Sequence, residues 1–216
     1  MSKHRHRKKF LNFILKQIDN IQSPQILEFG VSDAAMSTGI FLELCNKNGG
    51  KLISIDMNNY SKKFQDPNWK FIHTRDDNYE LIEKFIKTEL DIIYLDTLHK
   101  ADHVEKMLYH YYNNLKVNGY FFIDDTSWLP YTINNDKNDF FKEINNQETY
   151  EKLLNIYNSN QENFDLEFSF VGTGIAKIKK LNNEKLNTYS KIKSRKFSLK
   201  NLFRKIFKLL RSSNKK

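Results

Sequence analysis

Apolar residues along this chain switch repeatedly between short continuous runs and a helical period. Five runs read as strands: Gln25–Phe29, Lys51–Asp56, Trp69–His73, Asp91–Leu95 and Tyr120–Ile123. Between them, apolar residues recur at helical spacing over Phe10–Ile21, from the loop at residues 30–37 to about Asn46, over Tyr79–Thr88, and from Ala101 to about Leu115. In the last of these, Val104, Met107, Leu108 and Tyr111 fall at i, i+3, i+4 and i+7. Strand runs that are apolar on both faces suit parallel strands covered by helices on each side. The alternation of strand and helix therefore predicts an α/β domain with a doubly wound, mostly parallel sheet. Pro24 and Asn48-Gly49-Gly50 punctuate the early elements, and Asn118-Gly119 predicts a turn before the fifth strand. Downstream, residues 139–141 and 150–157 read as helical and Phe164–Phe170 as a strand, with no chemical motif over 132–168.

In parallel units every strand delivers its C-terminal end to one edge of the sheet, where open α/β folds bind ligands. Asp56, Asp96 and the Asp124-Asp125 pair each stand at such an end, and His99 follows Asp96 closely. Although 28 residues separate Asp96 from Asp124, the topology predicts that they meet in one crevice. At the first strand, Glu28 and Gly30 lead through small residues into a helix near Ser37. Backbone amides at such a turn can approach a ligand, and an acid ending the next strand can hold ribose hydroxyls. The glycine array of a dinucleotide site, GxGxxG, is absent, which favours a nucleoside lacking a pyrophosphate.

Composition sets the bounds. The chain has 216 residues, enough for one domain with short extensions. Aromatic residues make up 14%, so Phe and Tyr are expected to fill much of the core. No apolar run reaches membrane-spanning length and no signal peptide is visible, so a cytoplasmic location is expected. The single Cys45 excludes an internal disulfide and reads as a buried structural thiol.

The net charge of +9 is unevenly spread. Residues 191–216 carry eleven Lys or Arg and no acid, residues 1–9 carry five more, and the body between is left near −7. That acidic body disfavours nucleic acid as a partner. Three segments follow: a basic arm over 1–9, the domain over 10–182, and a linker with a basic amphipathic tail over 183–216. Within the tail, Ser198 is placed to cap a helix over Leu199–Arg211 whose apolar face is backed by Lys and Arg. Residues 198–211 are thus expected to meet an anionic membrane surface, making the protein peripheral on the cytoplasmic face. A protein partner, the domain itself or nucleic acid are the other surfaces such a helix can meet.

Taken in order, Glu28-Phe29-Gly30-Val31 with Ser37, Ile53-Ser54-Ile55-Asp56, Asp91-Ile92-Ile93-Tyr94-Leu95-Asp96 with His99, and Leu115 through Asp125 resemble a class I S-adenosylmethionine-dependent methyltransferase. More narrowly, the chain is similar to the metal-dependent sugar O-methyltransferases of the macrocin O-methyltransferase and cephalosporin hydroxylase-like group. The resemblance covers residues 24–128 and resumes at Val171–Ile178, which matches the family's final strand. It implies a Rossmann-like fold. Glu28, Gly30, Ser37 and Asp56 would bind the S-adenosylmethionine, with Asp76 or Asp77 near the adenine. Asp96, Asp124 and Asp125 would ligate Mg²⁺ or another divalent cation, and Asp96 or His99 would act in catalysis. Two departures stand out: Ala34-Ala35 where the first loop usually has a glycine, and Leu98 where many relatives carry a further acid.

The chemistry supports that donor set on its own terms. A hard cation held by carboxylates binds hydroxyls and lowers their pKa, which O-methylation of an alcohol requires. The expected acceptor is a sugar or glycan hydroxyl, with a catechol-like diol or a non-catalytic, cofactor-binding relative as alternatives; a homo-oligomer is compatible with either. Plainer roles exist for each residue. Asp125 or Thr126 would suit a helix cap, His99 a loop hydrogen bond, His103 and His110 the surface or packing, and Trp128 and Tyr131 either sugar stacking or the core.

Overall fold

A computed structural model describes residues 10–127, 140–170, 173–192 and 198–213. Its centre is a seven-stranded sheet: β1 (Gln25–Phe29), β2 (Lys51–Asp56), β3 (Trp69–His73), β4 (Leu90–Leu95), β5 (Leu115–Asp124), β6 (Phe164–Ser169) and β7 (Ile175–Lys180). The spatial order is β3-β2-β1-β4-β5-β7-β6. Strands β1 to β5 run parallel to one another, and β7 runs antiparallel to both β5 and β6. The chain order reverses between β1 and β4, where a crevice opens at the carboxyl ends.

Helices cover both faces. On one side α1 (a π-helical turn Phe10–Leu15 continued by Lys16–Ile18) and α2 (Met36–Asn48) bury Ile14, Ile18, Phe41, Leu44 and Cys45 against Ile26, Ile92, Tyr94 and Phe122. On the other, α3 (Tyr79–Glu83) and α4 (Ala101–Tyr111) bury Ile82, Val104, Met107 and Tyr111 on Leu27, Phe29, Ile93 and Phe121. Leu153 and Ile156 of α5 (Phe140–Asn158) join that second core. Alternate residues of the central strands β1 and β4 thus enter different cores, which is why those strands show no exposed face, whereas β6 alternates Phe164, Leu166 and Phe168 with Asp165, Glu167 and Ser169. Cys45 is buried as expected, and its burial pushes the thiol pKa up to about 12, which leaves it a poor nucleophile.

Several elements differ from the periodicity: α5 is one helix over Phe140–Asn158 where residues 139–141 and 150–157 read as separate pieces, and α1 ends at Ile18 rather than Ile21. The helix predicted over Tyr79–Thr88 stops at Glu83, and the turn tightens to i+3 hydrogen bonds at Phe85 and Ile86 before β4 starts. The helix begun at Ala101 ends at Tyr111 and closes in a short 3₁₀ segment, Tyr112–Asn114. The turn predicted at Asn118-Gly119 is a kink within a longer strand. Asn118 takes φ +66°, and the β4–β5 register shifts between Leu90 and Ile92. This bulge keeps the apolar Tyr120–Ile123 run in line with β4.

Residues beyond 182 are not wholly a linker. Leu186 and Tyr189 pack on the core, and Tyr109 donates a 2.7 Å hydrogen bond to the Asn187 carbonyl. The tail forms α6 (Leu199–Ser213). The arm at residues 1–9, Trp128 and Tyr131 lie outside the described residues.

Candidate functional site

Parallel pairing brings the acids together. Leu95 pairs with Ile123, so the next residue on each strand sets Asp96 beside Asp124 at the sheet edge. The same registry pairs Phe29 with both Ile55 and Leu95, which places Gly30 between the exits of β2 and β4. Gly30 has φ +95°, and a Cβ there would sit 2.0 Å from the Asp96 carbonyl oxygen. Only glycine meets both demands.

Between the loops after β1, β2, β3 and β4 lies a cavity of about 530 Å³, lined by Gly30, Asp56, Met57, Tyr60, Asp76 and Asp96 among others. That volume is within the range of small-molecule sites. Asp56 fixes its floor. One carboxylate oxygen accepts the Val31 amide at 2.9 Å and the other accepts the Asn58 amide at 2.8 Å. The oxygen that accepts the Val31 amide, Oδ2, also accepts the Ser32 amide at 3.5 Å, so Oδ1 is the oxygen with a lone pair left for a ligand hydroxyl. The first loop is therefore ordered by the same carboxylate that faces the cavity.

Of the two adjacent acids after β3, Asp76 enters this cavity. It accepts from the Thr97 hydroxyl and lies 2.7 Å from His103 Nε2. Burial opposes its ionisation, but these hydrogen bonds outweigh burial and hold its pKa below the usual carboxylate value. An ionised Asp76 only accepts, so Nε2 of His103 carries the proton it shares. Asp77 turns away and pairs with Arg75 at 2.9 Å.

Next to the cavity, two groups tie the acids into a cluster. His99 Nε2 is 3.5 Å from Asp96 Oδ1 and 3.4 Å from Asp125 Oδ2. The Tyr94 hydroxyl is 3.0 Å from Asp124 Oδ2 and 3.3 Å from Asp96 Oδ2. Tyr94 is fully buried, and burial together with the Asp124 and Asp96 charges drives its pKa well up, so it remains a donor. Asp125 takes φ +57°, a conformation Asp tolerates better than most residues, and its amide donates to Asp124 Oδ1 at 2.8 Å. No helix starts at Asp125 or Thr126 among the described residues. Behind this loop the Ser127 amide donates to the Thr173 carbonyl. A Cβ on Gly174 would collide with Ser127, which brings β7 hard against the acids.

The donor set suits a hard divalent cation, with three carboxylates, an imidazole and open solvent on one side. Among the described residues, however, no three of these side chains are already gathered round one point. The carboxylates instead surround Tyr94 and His99.

Glu28 and Ser37 occupy a different layer. Glu28 is fully buried beneath the cavity and does not line it. It sits in register with Ser54 on one side and Tyr94 on the other, and the Ser54 hydroxyl donates to Oε2 at 2.7 Å. The Trp69 indole N–H in turn donates to Ser54. Burial raises the Glu28 pKa to about 7. Nearby Ser37 and Thr38 hydroxyls ease that effect, but neither completes a directed hydrogen bond to Oε1. Ser37 is buried in the first turn of α2.

Sequence reasoning did not find Tyr94, Thr97 or His103 as site residues. Tyr94 looked like one more apolar strand position. Its alternation with Asp96 on the same strand face was the available signal. His103 lies one helical turn beyond His99, but its partner Asp76 comes from a distant loop.

Residues 27–126 match a family model described as a methyltransferase domain. No curated protein sequence matches the chain. Among solved structures, the chain is similar to the MycE methyltransferase of the mycinamycin biosynthetic pathway in complex with Mg and SAH. The TM-score is 0.61 at 16% identity, over 84% of this chain and 52% of that one. The chain therefore spans about half the length of MycE, which has also been solved with Mg, SAH and mycinamycin VI. SAH-bound PaMTH1 from Podospora anserina matches at TM-score 0.56 and 16% identity, over 74% of this chain and 72% of that one. A Staphylococcus aureus protein assigned as a caffeoyl-CoA O-methyltransferase matches at 0.57 and 16%, over 81% and 83%. These likenesses show the fold.

Proposed function

We propose that this chain, which has the class I S-adenosylmethionine-dependent methyltransferase fold and matches the methyltransferase domain over residues 27–126, is a metal-assisted O-methyltransferase acting on a sugar-like hydroxyl. One observation carries the reading: Asp96 belongs at once to the cavity and to the acid cluster with His99, Asp124 and Asp125. A nucleoside site and an acceptor site would thus share a wall. MycE, crystallised with Mg, SAH and a mycinamycin, supports the sugar-bearing acceptor class.

In this reading Asp56 holds a ribose hydroxyl through Oδ1, while Met57 and Tyr60 offer apolar surface to the base and Asp76 accepts from it. Gly30 leaves its backbone open to the methionine end. Glu28 acts from below, through β1, rather than by touching ligand. Asp96, Asp124 and Asp125 are the residues that would hold a divalent cation. S-Adenosylmethionine supplies an electrophilic methyl group, and the cation supplies a positive charge that acidifies a hydroxyl. His99, facing both Asp96 and Asp125, is placed to take the hydroxyl proton, a contribution of about 10²–10⁴-fold. Positioning two reactants in line supplies much of the remaining rate.

Calorimetric titration with S-adenosylmethionine, with and without Mg²⁺, followed by labelled-methyl transfer to a panel of nucleotide sugars and glycans, tests the proposal. Cofactor binding with metal-dependent transfer to a sugar hydroxyl is the expected result. Turnover indifferent to Mg²⁺ and to a chelator, or transfer confined to catechols, overturns it.

A further inference from the structure

We infer that helix α6 is a docking element for an anionic lipid surface. Ser198 caps it, its hydroxyl accepting the Asn201 amide at 3.2 Å. Five large apolar side chains then recur at i, i+3, i+4, i+7 and i+8: Leu199, Leu202, Phe203, Ile206 and Phe207. They are 74%, 53%, 57%, 44% and 65% exposed. An apolar stripe of this length on one helix face is built to be covered.

Charge decides what covers it. From Lys191 to Lys216 the chain has eleven cations and no acid, and the sequence interleaves Lys200, Arg204, Lys205, Lys208 and Arg211 between the apolar positions. A second copy of the helix would cover the stripe but bring two sets of cations together with no carboxylate from either tail. Nucleic acid would pair the cations and leave Phe203 and Phe207 in water. An anionic bilayer satisfies both faces at once: the apolar stripe enters the acyl boundary while the cations meet phosphate headgroups. None of the helices described is long and apolar enough to cross a membrane. The inference is independent of the methyl-transfer reading, since α6 holds none of its residues.

Flotation of the full chain with phosphatidylcholine vesicles, with and without about one-third phosphatidylglycerol, tests it. The chain is expected to float with the anionic vesicles and remain behind with the neutral ones. Raising salt from about 0.15 M to about 0.5 M should weaken recovery, because screening shortens the reach of the cations. Phe203→Glu with Phe207→Glu should lower anionic-vesicle recovery about tenfold or more while leaving the circular dichroism of the domain unchanged. Lys200→Glu with Arg204→Glu should do the same. Equal recovery of wild type and either variant overturns the inference. So does a chain that fails to float but sediments as a dimer, or one that floats equally with neutral vesicles.

Discussion

The Tyr94 hydroxyl, buried within β4, lies 3.0 Å from Asp124 at the end of β5, and 3.3 Å from Asp96 just past the end of its own strand. One phenolic proton serves two carboxylates, so it orients both without neutralising either. Removing it should loosen the acid cluster while leaving the core filled. Tyr94→Phe is expected to fold normally and to weaken Mn²⁺ binding about tenfold or more, as loss of a group that orients metal ligands commonly does. Titration of Mn²⁺ followed by electron paramagnetic resonance checks this. Unchanged affinity would remove the acids from the metal-binding role proposed for them.

Asp76 and His103 make a second prediction. His103 helps hold the Asp76 carboxylate below its usual pKa, and binding of a base donor needs that carboxylate ionised. In His103→Ala the Asp76 pKa rises, so affinity for S-adenosylhomocysteine should begin to fall at a higher pH during acidification than in wild type. Loss of one charge-assisted hydrogen bond of about 1.5–3 kcal/mol sets the scale at low pH. Calorimetric affinities between about pH 5 and 8 would show the displaced limb.

Glu28 gives a prediction about stability. In the unfolded chain it ionises near its ordinary 4.5, whereas the folded protein retains the proton to about 7. Between those values the folded state binds more protons, so stability falls as pH rises through the window and then levels off. The ionised group costs about 3 kcal/mol above it. Glu28→Gln keeps the shape and an acceptor for Ser54 without that cost. Its melting temperature should exceed wild type by several degrees at pH 8, and the difference should shrink at pH 5.

Gly30 tests the geometry of the crevice. Gly30→Ala puts a Cβ 2.0 Å from the Asp96 carbonyl at φ +95°, where the obstacle is backbone and cannot swing aside. We expect a loss of about 3 kcal/mol or more in urea denaturation, or failure to fold. Gly39→Ala, whose Cβ would meet only Phe64 at 4.0 Å, serves as the control and should be stable.

Sequence alone determined the parallel part of the sheet. Strands β2 and β3 begin and end where the runs Lys51–Asp56 and Trp69–His73 do, and β3, at the edge of the sheet, buries only Ile72. It also determined that Asp56, Asp96 and Asp124 reach one edge, since parallel strands all end there. What it left open was decided by partners distant in the chain. Asp76 rather than Asp77 faces the cavity because Thr97 and His103 hold it there, while Arg75 claims its neighbour. Glu28 reads as a ligand-facing acid, yet strand alternation and the cover of α2 bury it under the site. Local pattern encodes which residues lie in strands and at which end. Only tertiary packing decides which side chain finds a partner across the crevice, because hydrogen bonds and burial depend on distances between elements that no single segment contains.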